Sequence, residues 1–188
     1  MPKPLWLMLL IAPLMSGCIN AASPSPTPAA LGPLIEAMSQ RLDIANDVAQ
    51  SKFYSGKPVQ DSERERQVIA NAEAQAAAYK LDKSDVRLFM TAQIEANKRV
   101  QYARLAQWHA DAQPPEQPST SLTTGIRTRL DTLQPILMEK YAAFVPYRKD
   151  AACQRWVQAE IERQTTDPTL VNALQRAAGD LCANIIKG

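Results

Sequence analysis

The chain has 188 residues, of which 46% are hydrophobic, 21% charged and 6% aromatic. Its 21 Lys and Arg against 19 Asp and Glu give a formal net charge of +2, which excludes a polyanion-binding protein driven by bulk charge. There are 14 prolines and 6 glycines, and between Leu34 and Gln113 only Gly56 and Pro58 break the chain. A β-sandwich or an α/β fold needs turn signals about every 8–12 residues. The pattern therefore predicts an all-α protein built from long helices.

In chain order, residues 1–22 read as an export signal. Lys3 supplies the positive start, Leu5 to Met15 the apolar run, and small residues follow. Two processing readings stand side by side. Met15-Ser16-Gly17-Cys18 resembles a lipoprotein box with Cys18 as the lipid anchor, and cleavage near Ala21 or Ala22 is the other. Residues 23–33, rich in proline, read as a stiff, solvated linker, and residues 34–188 as one helical domain. Export to a periplasmic or secreted destination places Cys153 and Cys182 in an oxidising space. That favours a disulfide over two buried free thiols. The only histidine, His109, lies near a helix end, so a metal site is not expected.

Six helices follow. Helix 1 is predicted over Leu34–Tyr54, ending at Ser55-Gly56-Lys57-Pro58. Helix 2 starts at Asp61 or Ser62 and continues to about Lys80, with Glu63 and Glu65 suiting its first turn. Helix 3 starts near Asp82–Ser84 and reaches about Ala110, before a Pro-rich loop from Gln113 to Pro118. Helix 4 is predicted over Ser121–Phe144 with a kink at Pro135, and helix 5 over Arg148–Gln164. Asp167 and Pro168 open helix 6, whose apolar stripe is Val171, Leu174, Ala178, Leu181 and Ile185. A Cys153–Cys182 bridge would staple helix 5 to helix 6.

Charged and amide groups interrupt the apolar stripes. At 100° per residue, Leu34, Met38, Ala45, Val48 and Lys52 all lie within about 60° of Arg41. Arg41 and Lys52 thus share a buried stripe, about 16 Å apart along the axis. Snorkelling, with packed stems and solvated heads, is the alternative. On helix 3, Asn97 and Gln101 share an arc with Met90, Ile94, Leu105 and Trp108. A helix-to-helix hydrogen bond would explain them equally well. On helix 2, Arg64 borders the stripe through Val68, and Glu65 and Asp61 lie nearby, within a run that is charged all round. Together these helices turn two arginines, a lysine, two amides and a carboxylate toward one interior. That suits a small dianion with polar oxygens and does not suit a metal, a haem or a nucleotide.

The same residues resemble a known family. Arg41, Lys52, the run Lys57-Pro58-Val59-Gln60-Asp61-Ser62-Glu63-Arg64-Glu65-Arg66, and Gln101 are similar to the all-α chorismate mutases over about residues 34–110. The export signal, extra C-terminal helices and cysteine pair resemble the secreted gamma subclass. The resemblance implies a Claisen rearrangement of chorismate to prephenate, without cofactor, metal or nucleic acid. It further implies that Arg41 binds a carboxylate, that Lys52 donates to the ether oxygen and a carboxylate, that Gln101 gives the ether oxygen its second donor, and that Glu65 accepts from the ring hydroxyl with help from Arg64 or the backbone near Asp61. Asn97 would contact a carboxylate. Arg127 would supply the last cation, with Arg129 as the alternative, and the chain would form a homodimer. Some secreted relatives carry Glu where this chain has Gln101. An isochorismate pyruvate lyase and a non-catalytic periplasmic helical module are the other readings.

Overall fold

A computed structural model describes residues 25–117 and 125–183. The expected export segment, Cys18, the start of helix 4 at Ser121 and Ile185 lie outside the described residues. Those described are helical, with no strand among them. The helices are α1 (Leu31–Ser55), α2 (Ser62–Gln75), α3 (Lys83–Ala110), α4 (Arg127–Phe144), α5 (Cys153–Gln164) and α6 (Pro168–Ala177). No described helix is long and apolar enough to cross a membrane.

Local chemistry sets the boundaries. Gly56 ends α1 with a left-handed φ of 66°, and its N–H closes back on the Lys52 carbonyl. Asp61 caps α2 by accepting the Arg64 N–H at 3.1 Å, while Glu65 accepts the Asp61 N–H at 3.2 Å. This reciprocal arrangement satisfies donors that a bare helix end leaves open. Asp82 caps α3 through the Ser84 and Asp85 amides, and the Ser84 hydroxyl together with those amides holds its carboxyl below the usual range. Asp167 caps α6 through Thr169, with Pro168 at the first helical position.

Four boundaries differ from the sequence expectation. Helix α1 starts at Leu31, which is fully buried, so the end of the Pro-rich segment is part of the fold. Farther upstream, the Ser25 carbonyl accepts the Trp156 indole N–H at 2.9 Å. The second helix becomes a 3₁₀ turn over Ala76–Tyr79, closed by Lys80 with a φ of 57°. The fifth starts at Cys153 rather than Arg148. Pro146 lies in a 3₁₀ turn, and the Asp150 side chain accepts the Ala152 N–H, which favours a turn over helix. Helix α6 ends at Ala177, leaving Ala178 and Leu181 buried beyond it. Helix α4 runs through Pro135.

The core forms around α1, which packs on α3, α4, α5 and α6, while α3 packs on α2 and α6. Leu34, Ile35, Met38, Met90, Leu137 and Phe144 are fully buried there, and Phe89 stacks on Tyr141 with ring centroids 4.2 Å apart. A Cys153–Cys182 disulfide, with Cα atoms 5.8 Å apart, ties α5 to the segment after α6. Arg148 adds an ion pair to Asp85 at 2.8 Å and a hydrogen bond to the Asp180 carbonyl at 3.2 Å.

The bridge closes a loop across 29 positions, worth about 3–4 kcal/mol as a constraint on the unfolded chain. Replacing both cysteines with serine is expected to lower the urea-unfolding free energy by about 2–4 kcal/mol. An unchanged midpoint and slope would show that the bridge does not limit unfolding.

Candidate active site

Four helices wall a cleft of about 700 Å3, counting its open mouth. Helix α1 contributes Arg41, Val48 and Lys52, and the α1–α2 junction contributes Val59 and Asp61. Helix α2 adds Arg64, Glu65 and Val68, and α3 adds Ile94, Asn97, Lys98 and Gln101. Helix α4 closes the fourth side with Arg127, Leu130, Asp131 and Gln134. The turn at Gly56 allows α2 to fold back so that its N-terminal charges face α1.

All eight residues singled out from the sequence as binding or catalytic line this cleft: Arg41, Lys52, Asp61, Arg64, Glu65, Asn97, Gln101 and Arg127. The alternative cation, Arg129, faces a separate shallow groove and pairs with Asp47. Lys98 and Asp131 line the cleft as well, although the sequence reading gave them no role. Helical phase carried the signal. Lys98 is about 60° from Gln101, and Asp131 about 40° from Arg127.

The cations and carboxylates of the cleft follow a clear pattern. Arg64 pairs with Asp131 at 2.6 Å, Arg127 with Asp61 at 3.2 Å, and Lys98 with Glu65 at 3.1 Å. The first two pairs link α2 and α4 across the mouth. Lys98 also pairs with Glu95 at 2.7 Å, and the hydrogen bonds to both carboxylates raise its pKa against desolvation. Lys52 is buried, and its ammonium donates to the Pro58 and Val59 carbonyls at 2.7 and 2.6 Å. An ammonium carries three donors, so one N–H of Lys52 remains. Desolvation pushes the Lys52 pKa down, with Asp61 opposing it.

Arg41 is different. It is 5% exposed, has no ion pair or hydrogen bond from its guanidinium among the described residues, and its buried Nε lacks a partner. Burial pushes its pKa down to about 10, partly offset by Asp131 and reinforced by Arg64. Snorkelling is therefore not what Arg41 does. Asn97 bridges two helices, its Nδ2 donating to the Arg41 carbonyl at 3.2 Å, and within α3 Gln101 Nε2 donates to Asn97 Oδ1 at 2.7 Å. Gln101 Oε1 is buried without a partner.

Five cations thus face three carboxylates around one cleft, leaving an excess of two positive charges. Apolar side chains from Val48, Val59, Val68, Ile94 and Leu130 complete the walls, reducing the dielectric around any bound anion.

Residues 33–102, from the first turn of α1 to just past Gln101, match the model of the family described as chorismate mutase type II. A secreted chorismate mutase of Mycolicibacterium smegmatis is 33% identical over 158 residues, covering 81% of this chain and 86% of that protein. The chain belongs to the chorismate mutase family. Two solved chorismate mutases agree along nearly their whole length. That of Burkholderia phymatum is 39% identical with a TM-score of 0.78, covering 82% of this chain and 96% of its own. That of Burkholderia thailandensis is 33% identical with a TM-score of 0.79, covering 82% and 100%. The likeness to solved chorismate mutases therefore extends past α3 into the C-terminal helices, beyond the matched family segment.

A buried guanidinium without a counter-ion destabilises the fold that holds it. Arg41→Met keeps the packed stem and removes the charge, and is expected to raise unfolding free energy by about 1–3 kcal/mol without ligand. A lower urea midpoint in this variant would contradict the assignment of Arg41 as unpaired.

Proposed function

We propose that the cleft rearranges chorismate to prephenate. The observation that carries this reading is the excess of two cations in the cleft, among them Arg41, a buried guanidinium with no hydrogen bond or ion pair among the described residues. Chorismate is a dianion, and its rearrangement breaks an ether C–O bond while a C–C bond forms in the same molecule. No proton transfer is required. The enzyme's work is to hold the compact conformer and stabilise charge on the ether oxygen.

The roles follow from the chemistry of each group. Arg41 takes a substrate carboxylate, gaining the counter-ion it lacks. Arg127 serves the second carboxylate and exchanges Asp61 for it. Lys52 uses its remaining N–H on the ether oxygen, and Gln101 supplies the other donor from the α3 wall. Glu65 accepts from the ring hydroxyl, with Arg64 and the backbone near Asp61 bordering that end. Asn97 lies between Arg41 and Gln101 and is hydrogen-bonded to both, so it joins the α1 and α3 walls of the site.

Secretion fits this reading. Relatives from Mycolicibacterium smegmatis and Mycobacterium tuberculosis are named secreted chorismate mutases, and the disulfide suits an oxidising compartment. An N-terminal export signal, with or without a lipid anchor at Cys18, would carry the chain there. Mass spectrometry of the mature N-terminus distinguishes the two. A homodimer whose active sites each lie within one chain is the matching assembly.

The purified mature protein is expected to convert chorismate to prephenate. Arg41→Ala and Lys52→Ala should each lower kcat/KM by about 10²–10³-fold with helicity intact. Retained turnover in both variants would remove the reading, and pyruvate release from isochorismate would favour the lyase.

Gln101 donates whatever the pH, whereas a carboxyl donates only when protonated. Wild-type activity should stay level across neutral pH. It should fall at alkaline pH as Lys52, whose pKa is lowered, loses its proton. Gln101→Glu should lose activity progressively as pH rises through neutrality. A level profile in that variant would remove Gln101 from the ether oxygen.

A further inference from the structure

We infer that Asn97 is a positioning residue that fixes which way the Gln101 amide faces, and acts on the reaction through Gln101. The inference rests on the proposed rearrangement. A side-chain amide has two ends of similar shape and opposite hydrogen-bonding sense. A glutamine that must donate to the ether oxygen therefore needs something to hold its NH2 end in place.

The chain of bonds that does this starts from a group that cannot reverse. The Arg41 backbone carbonyl only accepts, so the end of Asn97 that meets it at 3.2 Å is Nδ2. That turns Asn97 Oδ1 toward α3's next turn, where it meets Gln101 at 2.7 Å. An acceptor there requires the NH2 end of Gln101. The opposite setting would bring two oxygens together in a region where Asn97 is 7% and Gln101 4% exposed. Gln101 Nε2 has two N–H groups, and Asn97 uses one. The second has no partner among the described residues, and Gln101 forms part of the cleft wall.

Gln101 Oε1 independently points to an imposed orientation, because it is buried with no partner among the described residues. A freely turning amide would relieve that penalty, on the order of 1–3 kcal/mol, by placing its oxygen toward a donor. The backbone carbonyl of Arg41 thus anchors the donor as well as carrying the guanidinium. One residue of α1 is connected to both the carboxylate and the ether ends of the proposed site.

A double-mutant cycle read by steady-state kinetics tests this. Gln101→Ala should lower kcat by about 10²–10³-fold. Asn97→Ala should lower kcat by about 10- to 100-fold and leave KM within about twofold. In the Gln101→Ala background, adding Asn97→Ala should cost nothing further. Multiplying losses, or an Asn97→Ala loss expressed in KM, would overturn the inference and assign Asn97 to direct substrate contact. A second measurement does not depend on the variants folding. In the unliganded wild type, one Gln101 side-chain amide proton should be protected from solvent exchange, and the absence of protection overturns the inference. Wild type that leaves chorismate unchanged contradicts the proposed activity instead, and the amide spectrum still decides the orientation.

Discussion

The cleft depends on one unfavourable feature, a guanidinium held in the interior without a counter-ion. Every other cation lining it has a local partner: Arg64 has Asp131, Arg127 has Asp61, Lys98 has Glu65, and Lys52 has two backbone carbonyls. Among the described residues Arg41 has no partner at bonding distance, and desolvation, only partly offset by Asp131, weakens its hold on its proton. A protein selected only for stability would replace it with an apolar side chain. The rest of the fold offsets its cost, through the apolar core packed around α1 and the disulfide that ties down the C-terminal segment. The result is a site whose electrostatic deficit is built in before any ligand arrives, which is what preorganised stabilisation requires.

The pairs around the cleft then act as exchangeable partners. Asp61 caps α2, pairs with Arg127 and borders Lys52, so one carboxylate connects a helix end, the mouth and the Lys52 amine. Glu65 returns the favour by accepting the Asp61 N–H while holding Lys98. The charged run at the start of α2 is therefore divided between two tasks. Asp61, Arg64 and Glu65 line the cleft, whereas Ser62, Glu63 and Arg66 are exposed. Helix α4 brings Arg127 and Asp131 from outside the segment matched by the family model, completing the wall within the same chain.

Much of this was legible from residue spacing. Helices α1 to α3 were visible because Gly56 and Pro58 are the only breaks in a long stretch, and their phases placed Arg41, Lys52, Asn97 and Gln101 on inward faces. The start of α5 was not legible, because the turn at Asp150 depends on a side chain competing for a backbone amide. Lys98 and Asp131 were passed over because a charge on a helix usually faces water. Their place on the cleft wall is set by the meeting of separate helices, which no single helix pattern contains. Choosing Arg127 over Arg129 required the register of α4, since two residues apart on a helix means nearly opposite faces. Arg129 faces Asp47, away from the cleft.

On the proposed reading, Arg41 stays unpaired so that a dianion can pair with it. The decisive measurement is thermal unfolding of the wild type and Arg41→Met, with and without a saturating bicyclic dicarboxylate shaped like the rearrangement's transition state. Arg41→Met is expected to melt higher without ligand, and the wild type to gain far more from the ligand and overtake it. Equal gains in the two proteins would contradict that reading.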